Sequence, residues 1–338
     1  MSFYNFYISE NLILNFYNNI TQEVYIKKEN TLEASDHKVE IIGDIPRFIT
    51  DDNYNDRFGY QWNKWRHIQL DSYTELPLTE NEIKQVMGES ELKRYENLEN
   101  FKGKYILEAG SGAGRFTEIL LKYGAIVDSF DYSSACEANY LNNAPNKNLR
   151  IFQADILNMP VRDNVYDYVI CIHVIQHTPN PWKGIKDLYK KLKPGGTLVF
   201  DQYKFKFFKS LPPPIGGAGN IYRLAFLYLL PKKIQSKLAI FLVDLLFPLH
   251  WFFKDSKFIQ FFLFRLFPLR FYYPWLGLKN KKQHYEWTML DTHDSLIDVY
   301  KNYANKKKTI KILKELGATD INMWDGGNGL ILNCRKPK

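Results

Sequence analysis

The sequence predicts an α/β protein built on a doubly wound, mostly parallel sheet of about seven strands, the last of them antiparallel. An N-terminal extension precedes this sheet, and a helical insertion follows its fifth strand. Three observations carry the prediction. From Lys104 short apolar runs alternate with amphipathic stretches, a glycine cluster directly follows the first run, and the alternation stops near Lys204 and resumes after Gln283. Strands alternating with helices at this spacing make βαβ units, whose crossovers leave the strands parallel.

Element by element, KYILEA (104–109) reads as a buried strand and Arg115 to Tyr123 as a helix ending at Gly124. AIVDSFD (125–131) reads as the second strand, with a helix from about Ser134. LRIFQAD (149–155), VYDYVICI (165–172) and TLVFDQY (197–203) read as strands three to five. Trp182 to Leu192 is the helix before the last of these, closed by the turn Lys193-Pro194-Gly195-Gly196. After the insertion, Lys306 to Leu316 reads as a helix capped by Gly317. ATDINMWD (318–325) is then a strand, and NGLILNC (328–334) its hairpin partner across Gly326-Gly327. Upstream of residue 100 the runs at 6–10 and 38–42 read as short strands, and Thr79 to Asn97 as a helix. The resulting organisation is an extension over 1–75, a first core part over 76–203, an insertion over 204–285 and a second core part over 286–338.

Composition bounds the function. The 338 residues hold 45 Lys plus Arg against 37 Asp plus Glu, a formal +8, with 45% hydrophobic residues, which excludes disordered and collagenous chains. The three cysteines, Cys136, Cys171 and Cys334, are too few and too scattered for a disulfide framework or a cysteine zinc site, and no metal ligand set is expected. A reducing, cytoplasmic compartment fits. The first 16 residues lack a basic region before their apolar run and carry Glu10, unlike a signal peptide. The longest apolar candidate, Leu238 to Phe253, is interrupted by Asp244, Pro248 and His250, so an integral membrane protein is not expected.

Glu108-Ala109-Gly110-Ser111-Gly112-Ala113-Gly114-Arg115 follows the first strand and opens a helix. Glycines let the backbone turn sharply and approach a ligand, while the helix N-terminus offers unpaired N–H groups. Asp131 ends the second strand, where an acid suits the two hydroxyls of a ribose, and Asp155 ends the third, where a carboxylate can accept from an adenine amino group. A dinucleotide fold produces a similar glycine pattern. Glu108 discriminates, because a carboxylate beside the loop repels a pyrophosphate but suits a ligand with a sulfonium and an ammonium.

LEAGSGAGRFTEIL (107–120), VDSFDYS (127–133), FQADILNMPV (152–161), YDYVICIHVIQHTPNP (166–181) and LKPGGTLVFD (192–201) resemble, in order, the successive motifs of the class I S-adenosylmethionine-dependent methyltransferases. The resemblance covers about residues 100–203 and resumes over 286–338. It implies a Rossmann-like fold and S-adenosyl-L-methionine as cofactor. It also implies that Gly110, Gly112, Gly114 and Arg115 carry the methionine part, that Asp131 binds ribose, and that Asp155 faces adenine, flanked by Tyr132 and Ile156. GDIPRF (43–48), FGYQWNKWRHIQLDS (58–72), LDTHDSL (290–296) and GGNGLILNCRKP (326–337) resemble a bacterial subgroup of surface-polysaccharide and natural-product methyltransferases. Some relatives begin with a cysteine-rich zinc ribbon, which this chain, with no cysteine before Cys136, does not carry in metal-binding form.

Methyl transfer to a hydroxyl requires alignment of the acceptor and removal of its proton, a task matched to histidine. His173 and His177 lie just beyond strand four, on the side where this fold binds ligands. His177 occupies a position where the wider family often has histidine, so a structural role stands beside the catalytic one. His173 replaces a residue that is often small in relatives. His293 stands in an acid–His–acid cluster that either holds a base or caps a helix beginning near Ser295, while His284 is a weaker candidate. Trp62, Trp65 and Arg66 are placed to close over the cofactor, with Arg66 paired to its carboxylate or to a surface acid. The function expected is O-methylation of a glycan precursor or amphiphilic small molecule. N- or C-methylation of a secondary metabolite is an alternative, and so is a non-catalytic cofactor-binding membrane adaptor.

The charge is unevenly placed. From Lys204 to Lys282 there are 14 Lys and Arg against the two acids Asp244 and Asp255, a net +12, with 14 Phe, 4 Tyr and 2 Trp; the rest of the chain is −4. Apolar helical stretches at 224–230, 238–253 and 258–269, framed by lysines, fit either a cap or dimer contact or a peripheral contact with an anionic membrane at its inner face. The acceptor is then a small molecule or a lipid-linked glycan. Nucleic acid is not expected, since the basic residues alternate with bulky apolar ones instead of forming a polar stripe.

Overall fold

Runs of β-branched and aromatic residues between turn signals build one mixed sheet, flanked by helices on both faces. The computed structural model describes residues 16–18, 21, 23–35, 37–49, 56–94, 98–205, 219–273, 275–326 and 329–338. The expected strand at 6–10, the last three residues of the helix expected to end at Asn97, residues 206–218 of the insertion and Gly327 lie outside them.

The sheet runs β1 (Ile26–Lys28), β2 (Thr31–Ala34), β3 (His37–Ile42), β4 (Ile45–Arg47), β7 (Leu149–Gln153), β6 (Ile126–Asp131), β5 (Tyr105–Ala109), β8 (Tyr166–Cys171), β9 (Leu192–Tyr203), β11 (Gly329–Arg335), β10 (Thr319–Asp325). Strands β5 to β9 are parallel, so their C-terminal ends share one edge. β11 is antiparallel to both neighbours, β9 and β10, and thus wedges its hairpin partner to the outside. The α/β class and the antiparallel last strand agree with the sequence reading. The strand number does not: eleven are present among the described residues instead of about seven. The extra four come from the N-terminal extension, a meander β1–β4 whose last strand pairs in parallel with β7 through Arg47 and Gln153. Two-residue turns such as Gly43-Asp44, both at positive φ, are too short a signal to separate such strands in sequence. The meander buries Tyr25, Leu32, Val39 and Ile41 against Phe130 and Phe152, and so covers what would be an exposed edge.

The helices are α1 (Asp56–Lys64), α2 (Asp71–Thr74), α3 (Leu78–Arg94), α4 (Arg115–Lys122), α5 (Ala135–Asn143), α6 (Pro181–Lys191), α7 (Gly219–Leu229), α8 (Lys232–Phe252), α9 (Lys257–Leu266), α10 (Lys281–Ile297) and α11 (Lys306–Glu315). α3 breaks at Gly88, whose φ of 74° is open to glycine but not to other residues at comparable cost. The Lys193–Gly196 segment, expected as a turn, belongs to a longer β9 whose register against β8 shifts between Tyr166 and Tyr168. The cysteines are free and buried. α10 runs unbroken through Ser295, which removes the expected helix start there: His293 is a mid-helix residue and caps nothing.

Candidate active site

The glycine loop leaves β5 through a chain of left-handed residues, Gly110, Gly112 and Gly114, with φ of 81°, 51° and 83°. Side chains are excluded there by space as well as by backbone strain. A Cβ on Gly110 would stand 2.2 Å from Val174 Cγ2, and one on Gly114 would stand 2.1 Å from Asn139 Oδ1. Above Gly112 lies the indole of Trp62, 3.1 Å from where a Cβ would be, so α1 covers the loop. Asn142 ties the two together by donating to Arg66 O (3.0 Å) and Ala113 O (2.8 Å).

Asp131 ends β6 and accepts from Gly112 N (2.9 Å), Ser133 N (2.9 Å) and Ser133 Oγ (2.7 Å). Burial pushes its carboxyl up, partly opposed by these donors. Asp155, beyond β7, accepts from Leu157 N at 2.8 Å, and burial raises it as well. Tyr132 follows Asp131 and gives its carbonyl to Gln153 Nε2, while Ile156 is buried beside Gly184.

Glu108 does not face outward. It is buried beneath the loop, where Oε2 accepts from Thr117 Oγ1 (2.5 Å) and Ser129 Oγ (2.8 Å), with Asn139 Nδ2 donating to both hydroxyls. Burial raises its carboxyl to about 7, against the pull of its two hydroxyl donors. Its visible task is to pin α4, α5 and β6 to the loop. Arg115, the first residue of α4, points to Glu82 on α3 (2.6 Å).

Glu82 also holds His173. The imidazole Nε2 lies 2.5 Å from Glu82 Oε1 and Nδ1 lies 3.0 Å from Asp201 Oδ2, while the His173 backbone N–H donates to Asp201 Oδ1 at 2.6 Å. These bonds hold His173 at φ 63°, a strained conformation for a residue with a Cβ. Burial alone would lower its pKa, but Asp201 and Glu82 outweigh this and raise it to about 10. An imidazolium held this way has no lone pair to accept a proton at neutral pH. Arg115, Glu82, His173 and Asp201 form an alternating row of charges joining α4, α3, the β8 exit and β9.

His177 is placed differently. Its Nδ1 is 2.8 Å from Asp298 Oδ1 and 3.2 Å from Tyr300 O, and its Nε2 is 3.3 Å from Tyr203 Oη at the end of β9. Burial lowers its pKa, but Asp298 and Asp294 reverse this and leave it above 6.5. Burial and the acids Asp294, Asp298 and Asp201 keep Tyr203 protonated well above the ordinary phenol range. His293 Nδ1 is 2.6 Å from Gln61 Oε1, and Gln61 Nε2 donates to Asp294 Oδ1 at 3.1 Å, so an amide stands between this histidine and the acid expected to hold it. Trp65 packs edge-on to His293 at 5.4 Å between ring centroids. His284 is buried among Trp251, Tyr273 and Phe271, away from the strand ends.

The structure thus brings the glycine loop, Asp131, Asp155, His173 and His177 to one edge of the sheet. The loop can hold a zwitterionic ligand: Ser111 Oγ, Asn142 Oδ1 and Arg66 Nε are buried there with no hydrogen-bond partner among the described residues, two acceptor sites and one cationic donor. Among the described residues no three His, Cys, Asp or Glu side chains converge as a metal site. Sequence reading passed over Glu82, Asp201, Tyr203, Gln61 and Asp298. Their partners lie 26 to 233 residues away, and no local motif marks them.

Comparison with known proteins agrees with this geometry. The family profile described as "Methyltransferase domain" matches residues 107–200. The "Ubiquinone biosynthesis O-methyltransferase" of Coxiella burnetii (strain Dugway 5J108-111) is 33% identical over 135 residues, 39% of this chain and 57% of that protein. The protein of the same name from Pseudomonas fluorescens (strain Pf0-1) is 29% identical over 105 residues, 30% of this chain and 45% of that protein. This chain therefore spans about half the length of the curated relatives it matches. Among solved structures, a putative S-adenosyl-L-methionine-dependent methyltransferase from Methanococcus maripaludis aligns over 80% of this chain and 94% of its own, at 14% identity and a TM-score of 0.39. An S-adenosylmethionine-dependent methyltransferase from Mesorhizobium loti aligns over 74% and 100%, at 13% identity and 0.40. With the motif order and the matched profile in agreement, residues 107–200 of this chain form a methyltransferase domain of the S-adenosylmethionine-dependent kind.

Proposed function

We propose that this protein transfers a methyl group from S-adenosylmethionine to a hydroxyl oxygen of an amphiphilic small molecule or glycan precursor. The observation that carries the reading is the line Asp298–His177–Tyr203 at the ends of β8 and β9, beside the glycine loop. The bound cofactor supplies an electrophilic methyl group on a sulfonium. Asp298 accepts from His177 Nδ1–H and fixes the tautomer whose Nε2 lone pair, turned to the Tyr203 hydroxyl before the acceptor arrives, takes the acceptor's proton. Tyr203 Oη, kept protonated, lies 3.3 Å from that nitrogen and orients the hydroxyl that shares it. Trp62 excludes water above Gly112, and Arg66, whose buried Nε has no hydrogen-bond partner among the described residues, would pair with the cofactor carboxylate. An amine acceptor already presents a lone pair and has less need of such a base, which favours oxygen over nitrogen. The name of the curated relatives, an O-methyltransferase of ubiquinone biosynthesis, supports an amphiphilic acceptor.

Calorimetric titration with S-adenosylhomocysteine tests the cofactor half of the reading. The unaltered chain binds, and Asp131→Ala binds about 10- to 100-fold more weakly, because a carboxylate acceptor worth about 1.5–3 kcal/mol is lost. An unaltered chain that does not bind overturns the reading. Labelled methyl transfer to alkyl-substituted phenols tests the acceptor half, and label recovered only on nitrogen or carbon overturns it.

A further inference from the structure

The insertion leaves an apolar surface that the methyl-transfer site does not use. Of the 19 large apolar side chains exposed among the described residues, 14 lie between Ile221 and Trp275. They fall in helical register: Ile221, Leu224 and Tyr228 on α7; Phe241, Leu245, Leu249 and Phe252 on α8; Phe258, Phe261 or Phe262, and Leu266 on α9. Each helix thus has two apolar sides. The inward side of α8, with Val243, Leu246 and Phe247, packs on Phe271 and Met289. The three outward sides belong to one unit. His250 and Gln260 exchange bonds of 2.9 and 2.7 Å to hold α8 against α9, and Tyr222 Oη donates to Leu266 O to hold α7 against the end of α9. Phe252, at 79% exposure, and Phe258, at 74%, stand at the turn between α8 and α9, with Trp275 at 72% nearby against Phe264.

We propose that the outward face of α7, α8 and α9 docks this protein on the surface of an anionic lipid bilayer. Charge selects this occupant. The segment from Lys204 to Lys282 carries a net +12, and both of its acids are engaged: Asp244 accepts from Tyr285 Oη, and Asp255 pairs with Lys254 at 2.5 Å. On and beside α8 and α9 the described charged side chains include Lys237, Lys254, Lys257 and Arg265, so a second copy of the chain on this face would set like charges against each other, whereas anionic headgroups complement them. Lys237 and Lys257 are exposed beside the apolar rows, placed to keep their ammonium groups at the headgroups while their stems lie along the acyl boundary. Ile234–Phe252 is a 19-residue stretch of mean hydropathy 1.2, long enough to cross a bilayer. Its inward side is committed to the protein core, so it lies along the interface instead of spanning it.

Docking is independent of methyl transfer and is read without cofactor or acceptor. The full chain is sedimented with phosphatidylcholine vesicles with and without phosphatidylglycerol. The expected result is binding that strengthens with phosphatidylglycerol, weakens with salt, and falls about tenfold or more in Phe252→Ser/Phe258→Ser. These side chains are exposed, so the thermal midpoint stays unchanged; should the pair disturb folding, the single change Phe258→Ser serves. Lys237→Glu/Lys257→Glu is expected to remove the preference for anionic lipid, and Ile42→Ser, on the meander, to leave binding intact. Absence of binding by the unaltered chain, or binding equal in the serine variants, overturns the proposal. So does light scattering that shows a dimer dissociated by the serine changes without vesicle binding, since a second copy then covers the face.

Discussion

Replacing Glu82 by Gln removes one of the two carboxylates that hold His173 charged, and its consequences can be worked from the row Arg115–Glu82–His173–Asp201. The His173 pKa stands at about 10 against an ordinary 6.5. At about 1.36 kcal/mol per unit, the net shift corresponds to roughly 5 kcal/mol in favour of the protonated form after burial has opposed it, with Asp201 contributing ahead of Glu82. Glu82→Gln is thus expected to lower the His173 pKa by about 2 units and to destabilise the fold by about 2–3 kcal/mol near neutrality. The sign with pH follows from both shifts. His173 is raised, so its contribution is complete below pH 6.5 and is lost as pH rises towards about 10. Glu82 is held well below its ordinary 4.5, so its contribution is complete above that value and is lost on acidification. The stability gap between the two proteins should be widest between about pH 5 and 6.5 and should narrow steadily towards pH 10. Urea unfolding at a series of pH values measures the gap, and imidazole resonances titrated by NMR measure the pKa. A gap that does not change with pH, or a His173 pKa that stays in place, would refute the reasoning.

Asp298→Asn should remove the larger of the two charges that oppose burial at His177, lowering its pKa and moving the acid limb of the methylation rate downward, with a lower plateau. An unshifted limb in the pH–rate profile removes His177 as the base. Gly110→Ala should abolish S-adenosylhomocysteine binding and lower the thermal midpoint, because the new methyl meets Val174 at 2.2 Å on a backbone at φ 81°. Unchanged calorimetric affinity in a folded Gly110→Ala protein would show that the loop does not approach the ligand as described.

Much of the core was legible because its signals are local. β5, α4 and β6 sit within a residue or so of where apolar runs and glycines place them, since alternation and loop chemistry act over a few positions. The same locality explains the failures. The meander β1–β4 pairs through turns of two residues and reaches the core sheet by a single parallel pair, Arg47 with Gln153. The helix start expected near Ser295 was drawn from a cluster of polar residues that lies on the buried side of the continuous helix α10. Among the histidines, residue type placed His173 and His177 at the correct edge, but gave them the same chemistry. Tertiary contacts separate them: Glu82 and Asp201 lock one as a cation, while Asp298 and Tyr203 leave the other oriented and titratable.

By itself, then, the sequence determined the class of the fold, the glycine loop with its acid at Asp131, and the concentration of positive charge and phenylalanine in the insertion, because each depends on residues adjacent in the chain. Only the tertiary structure decided that Glu108 lies beneath the loop, that Trp62 closes above it, which acids surround each histidine, and which side of the insertion's helices remains uncovered. Those outcomes depend on burial and on charges brought together from distant segments, and a pKa or an exposed face is a property of that neighbourhood.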